Sequence, residues 1–264
     1  MTSNTSDSAP VSHATGDASS KLAVDVRRFP WIRRLAADYA YDFPSVEPFF
    51  AGNPAQHKAW ADAIRRTQAH ARNRAGIAEV LAAQQARRGA PQPAVDAARL
   101  LADGRTVAVL TGQQAGLFGG PLFTLLKALT ALKLAAQVSQ DHGVPAVAIF
   151  WIDAEDHDWD EVRGCSVLDA ALAPHNISLP ARSAGDHAPV ATVTLDASIT
   201  AALDQLEALL PPTEFRPALM ADLRAAYAAG RGMADAFGHW LERVLGGRKS
   251  TRLNSSHVAL SRMP

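Results

Sequence analysis

The apolar positions of this chain change period along its length. From about residue 30 to 104 they recur every three to four residues among alanines and charges, which predicts helices. "NPAQHKAWADAIRRTQAHA" predicts a helix with Asn53 as its cap and Pro54 at its first position. "GIAEVLAAQQARRG" predicts a second helix, stopped at Gly89, and "PQPAVDAARLLADG" a third that ends at Gly104. The period then breaks. "TVAVL" is a β-branched, apolar run, as a short buried strand requires. A glycine-rich loop follows, then "PLFTLLKALTALKLAAQVSQDHG", where Leu122, Leu125, Leu126, Leu129, Leu132 and Leu134 return to helical spacing and Gly143 closes the helix. "VPAVAIFWI" is a second buried strand.

Strand, glycine loop, helix and strand make a βαβ unit, which implies a parallel sheet with a right-handed crossover. Beyond it, "HDWDEVRGCSVLD", "HNISLP" and "VATVTLD" predict short strands. "SITAALDQLEALLP", "TEFRPALMADLRAAYAAG" and "MADAFGHWLERVLG" predict helices. The expected class is α/β: an incomplete Rossmann-like parallel sheet with a helical N-terminal segment and a small inserted α+β region from about residue 158. The core is expected over residues 23–247, after a polar, Ser/Thr-rich and disordered 1–22.

Composition narrows the class. The 264 residues are 48% hydrophobic and 20% charged, as a globular protein is. No window holds the roughly 18 uninterrupted apolar residues of a membrane span, and the N-terminus lacks a secretory pattern. A single cysteine, Cys165, excludes an internal disulfide and suits the cytoplasm. The formal charge is zero, which gives no electrostatic case for nucleic acid. The tail changes that balance. "RKSTRLNSSH" back-translates to one reading frame of a common sequencing adapter, and "SRMP" fits its downstream part. Residues 248–264 are therefore expected to be non-native and without a defined fold. Four of the 26 basic residues lie there, leaving 22 against 26 acidic.

Two segments carry candidate chemistry. In "TGQQAGLFGGP", at the carboxyl end of the first strand, Gly112, Gly116, Gly119 and Gly120 permit a tight turn or close backbone approach. Pro121 stands where a first helical residue would. Gln113 and Gln114 each offer donors and an acceptor for hydroxyls, amides or carboxylates. The spacing fits neither Walker A nor the dinucleotide fingerprint. Free N–H groups at the helix start would suit a phosphate or carboxylate, and the alternative is a purely structural turn. Thr111, Gly112, Gln113, Gln114, Gly119, Gly120 and Pro121 are the candidate substrate-binding residues. Lys127 and Trp151 join them, the first otherwise a solvated cation and the second otherwise core.

The second segment, "FWIDAEDHDWDE", ends the second strand. In extended chain Glu155 and His157 share one side, and Asp156 and Asp158 the other. A carboxylate beside an imidazole can hold its tautomer and tune it as a proton acceptor, so Glu155, Asp156 and His157 are the candidate catalytic residues. A contiguous run cannot surround one ion, so no metal is expected. A solvated strand end is the alternative.

"TGQQAGLFGGPLFTLLKALTALKLA" followed by "PAVAIFWIDAEDHDWDEV" resembles the BshC family of bacillithiol biosynthesis in wording, order and spacing. The resemblance implies a Rossmann-like core, and amide formation between cysteine and glucosaminyl-malate in the last step of that pathway. It also implies a cytoplasmic enzyme whose full-length form is a homodimer, joined by a coiled coil in a C-terminal half not represented here. Asp153 stands where the family has a small residue. Kinship with ATP-dependent cysteine ligases makes ATP the cofactor to test, although the residues themselves name none. A non-catalytic small-molecule-binding domain and a sugar-nucleotide transferase are the alternative readings.

Overall fold

The computed structural model describes residues 24–183, 185–246 and the backbone of 257–261. The expected disorder over 1–22 lies outside these residues. The chain divides into two compact units, residues 1–56 and 57–264.

In the first unit, α1 (Arg34–Tyr41) and α2 (Phe43–Val46) lead into a 3-10 turn at Glu47–Phe49. Tyr39, Phe43 and Phe50 gather with ring centroids 4.7–5.8 Å apart, tilted or edge-on as aromatic quadrupoles prefer. The helix expected from Asn53 starts later. Asn53 Oδ1 accepts the Ala55 N–H at 2.9 Å and caps a short turn instead.

The second unit opens with α3 (His57–Ala69), α4 (Arg74–Arg88) and α5 (Gln92–Leu100). Asn73 Oδ1 accepts the Gly76 N–H at 3.0 Å and caps α4, which ends at Gly89 with φ +68. The βαβ unit follows as β1 (Val107–Gln114), a 3-10 turn at Leu117–Gly119, α6 (Leu122–His142) and β2 (Ala146–Asp153). The strands pair in parallel from Val107↔Ala146 to Gln114↔Asp153. β1 therefore runs four residues past Leu110 into the expected loop, because pairing with β2 satisfies the backbone of Thr111, Gly112, Gln113 and Gln114. Pro121 is the cap of α6 rather than its first residue.

Helices cover both faces of this sheet, which is why β2 reads "AVAIFWI" without alternation. Ala131 and Ala135 of α6 pack on Ala148, with Val109 and Leu132 alongside. Their small side chains let the helix lie close to the strands. Ala78, Leu81, Ala97, Ala98 and Leu101 of the α4–α5 layer pack on Val147 and Ile149. By length and composition α6 is also apolar enough to cross a membrane. Here it is the crossover between two paired strands.

Beyond β2 come α7 (Trp159–Val162), the antiparallel pair β3 (Gly164–Leu168) and β4 (Pro174–Ser178), and then α8 (Ser198–Leu209), α9 (Arg216–Ala226) and α10 (Met233–Gly246). The strand expected over "VATVTLD" is a 3-10 turn at Val190–Thr192 plus one bridge, Thr194↔Gly232. No neighbouring strand meets it among the described residues, and alternation alone does not make a sheet. These elements bury the largest core, where Ile177, Ile199, Leu206, Tyr227, Met233, Phe237 and Leu241 join Phe150 and Ile152 of β2. Each large apolar side chain buried there contributes roughly 1.5–3 kcal/mol.

The tail departs from expectation. Within 248–264, β5 (His257–Ser261) pairs in parallel with β2 and makes the sheet order β1-β2-β5. An uncovered β2 edge presents a row of unpaired N–H and C=O groups, and "HVALS" is a segment able to satisfy them. Residues 248–256 and 262–264 lie outside the described residues.

Candidate functional site

The two sequence segments meet at the carboxyl ends of β1 and β2. Gln114 Nε2 donates to Asp156 Oδ2 and to Glu161 Oε2, both at 2.8 Å. Gln114 Oε1 accepts from Gln113 Nε2 at 2.9 Å. Lys127 Nζ, one and a half turns into α6, donates to Gln113 Oε1 at 2.8 Å and to the Gly112 carbonyl at 3.3 Å. The result is a directed chain: ammonium, amide, amide, two carboxylates. Each amide is fixed in one orientation, since each oxygen faces a donor and each nitrogen an acceptor.

The backbone explains how Asp156 and Glu161 converge. After Asp153 the chain leaves the sheet, and the carbonyls of Ala154 and Asp156 accept the Ala191 and Val190 N–H groups, each at 2.8 Å. Asp158 then caps α7 by accepting the Glu161 N–H at 3.1 Å, and this single helical turn brings Glu161 back towards Gln114. Asp156 Oδ1 accepts the Asp158 N–H at 3.0 Å. The Gln114 amide, followed by that backbone N–H, holds the Asp156 carboxyl below the usual carboxylate range. Asp156 is therefore ionised at neutral pH.

The remaining candidates are placed differently. Glu155 and His157 are both exposed. His157 Nδ1 stands 3.9 Å from Asp156 Oδ1, and its ring lies edge-on to that of His187 with centroids 6.2 Å apart. Thr111 is half-buried on β1 opposite Phe150. Trp151 packs into the α4–α5 cluster. Glu161 is a site residue that the sequence reading misses. Its signal is the Asp158 cap, which turns the chain back within three residues. Cys165 is half-buried and packs against the core, and burial pushes its thiol up.

The glycine loop is not the free backbone cradle its composition suggests. The Gly116 N–H donates to the Gln114 carbonyl at 2.9 Å, and the Gly120 N–H to Leu117 at 3.0 Å. The Gly119 N–H donates to Tyr227 Oη at 3.0 Å, and that hydroxyl donates to the Gly116 carbonyl at 2.9 Å. Gly119 has φ +97, and a Cβ there would stand 2.2 Å from Trp240. A Cβ on Gly112 would stand 2.7 Å from the Trp151 carbonyl. Core packing and strand pairing, rather than a ligand, require these two glycines. With these amides already paired, the loop does not fit a phosphate cradle for ATP.

A family model described as "Bacillithiol biosynthesis BshC, N-terminal Rossmann-like domain" matches residues 22–260. The chain belongs to the BshC family. The α/β class and the Rossmann-like core expected from the sequence therefore hold. Proteins named "Putative cysteine ligase BshC" are similar along most of the chain. The one from Symbiobacterium thermophilum is 35% identical over 241 residues, 87% of this chain and 42% of its own length. That of Salinibacter ruber is 36% identical over 211 residues, 77% of this chain and 37% of its own. That of Solibacter usitatus is 34% identical over 216 residues, 82% and 39%. The chain thus spans about two fifths of the length of these BshC relatives.

Proposed function

We propose that this BshC chain supplies the amine-binding site of a ligase that joins cysteine to glucosaminyl-malate through an amide. The observation that carries the reading is the Gln114 amide bridging Asp156 and Glu161. Two carboxylates held side by side by a neutral amide make an anionic notch suited to an ammonium. Lys127, at the other end of the same hydrogen-bond chain, supplies the complementary positive charge. Such a dipolar site suits a substrate bearing both an ammonium and a carboxylate, as glucosaminyl-malate does. The relatives' names, which specify a cysteine ligase, support the same chemistry.

Before it attacks an activated acyl group, the ammonium must lose a proton. Asp156 is a poor acceptor, because its carboxyl is held low; it orients the ammonium. His157, whose Nδ1 stands 3.9 Å from Asp156 Oδ1, is the group that would take the proton. Cytoplasmic location and homodimer formation through a C-terminal coiled coil belong to this reading and rest on the family resemblance.

Calorimetric titration with glucosaminyl-malate tests the site. Wild type should bind, and Asp156→Asn and Glu161→Gln should each weaken binding about tenfold or more, since a hydrogen bond to a charged group contributes roughly 1.5–3 kcal/mol. Unchanged affinity in both variants would remove the notch from substrate binding. Binding of a sugar nucleotide in place of glucosaminyl-malate would favour the transferase reading.

A further inference from the structure

We infer that Tyr227 is a positioning residue for this site, acting through the glycine loop from more than a hundred residues away. The inference rests on the proposed amine-binding role of the site and extends it to a residue that touches none of its side chains.

The phenol is fully buried, directly after α9. Its single oxygen closes the turn from both sides, accepting from the Gly119 N–H at 3.0 Å and donating to the Gly116 carbonyl at 2.9 Å. Phe118, between those two glycines, sits at φ 53 and packs edge-on against the same ring at 5.5 Å. A bulky residue held at positive φ requires its surroundings to over-determine it. Trp240 of α10 closes the other side of Gly119. The turn is thus held by Tyr227 and Trp240 in addition to its own backbone bonds.

What the turn fixes is the spacing between the two ends of the charge chain. Gln114 ends β1 on one side of it, and Lys127 rides on α6 on the other. The Lys127–Gln113–Gln114 bonds form only while the end of β1 and the start of α6 keep this separation. Without the hydroxyl, the Gly119 N–H and the Gly116 carbonyl keep only their longer bond to each other, 3.2 Å, and lose the shorter pair through Tyr227, so the turn is held less tightly. The notch between Asp156 and Glu161 then loses the orientation of the amide that bridges it.

The test compares Tyr227→Phe, which keeps the ring and removes one oxygen, with Leu203→Ala, a truncation in α8 of the same core that leaves both Tyr227 hydrogen bonds to the loop in place. Amide exchange is followed by NMR and glucosaminyl-malate affinity by calorimetry. Tyr227→Phe should speed exchange at Gly119 at least tenfold beyond any global change and weaken affinity about tenfold. Leu203→Ala should lower global stability while leaving the affinity of the folded protein within twofold of wild type. Equal affinities for wild type and Tyr227→Phe, or equal losses in both variants, would overturn the inference and reduce Tyr227 to a core residue. If wild type fails to bind glucosaminyl-malate, the proposed function falls. The Gly119 exchange rate then decides the loop's anchoring alone: a selective rise supports it and its absence overturns it.

Discussion

Replacing Gly119 with alanine should destabilise the fold by roughly 2–5 kcal/mol, and the structure separates the two sources. The residue sits at φ +97, where a Cβ costs about 1–2 kcal/mol of backbone strain. The new Cβ would also stand 2.2 and 2.4 Å from two atoms of the Trp240 ring, and relieving such overpacking costs about 1–3 kcal/mol. Gly143 supplies the control. It closes α6 at φ +63, and a Cβ there would meet nothing within 4 Å, so Gly143→Ala should show the backbone component alone, about 1–2 kcal/mol. Urea unfolding followed by circular dichroism gives both values. A Trp240→Leu background adds a double-mutant cycle, in which the Gly119→Ala penalty should shrink towards that of Gly143→Ala. Equal penalties at the two glycines, or a Gly119 penalty that survives intact without the indole, would refute the assignment of this glycine to core packing.

Two further outcomes follow from buried groups and caps. Glu242 is nearly enclosed, and burial pushes its carboxyl up to about 7 despite Arg88 at 3.7 Å. The native state then holds a proton that the unfolded chain releases from near 4.5, so stability is full below that pH and falls as pH rises to about 7. The loss is on the order of 3 kcal/mol, and Glu242→Gln should flatten denaturation midpoints measured across this window; an unchanged slope would place the ionisation elsewhere. Asn73→Ala removes the side-chain acceptor for the Gly76 N–H and should cost about 1 kcal/mol in thermal unfolding; an unchanged melting temperature would mean the cap is redundant.

The βαβ unit is legible in the sequence because each of its parts has a local cause. A β-branched run, a leucine period and Gly143 each dictate their element without help from distant residues. The errors arise where distant contacts decide. Gln113 and Gln114 look like loop residues by composition, yet parallel pairing with Ile152 and Asp153 draws them into β1. "VATVTLD" alternates like a strand, but bonds to Ala154 and Asp156 use the amides of Val190 and Ala191, and the segment serves to anchor the acidic run. The glycines show the limit most sharply. Gly112, Gly119 and Gly143 are one residue type with three causes: a neighbouring strand's carbonyl, an indole from α10, and a left-handed helix end open to space. Only the last can be inferred from neighbours in sequence. The other two depend on residues 39 and 121 positions away, so a glycine-rich loop alone cannot distinguish a ligand's demand from the core's. The glutamines prove more informative than the glycines beside them. A paired amide can bridge charges of opposite sign, and Lys127 with Asp156 and Glu161 are the charges it bridges here. What the loop's sequence encodes is therefore a turn that the core holds shut, so that a short polar chain at its edge stays aligned.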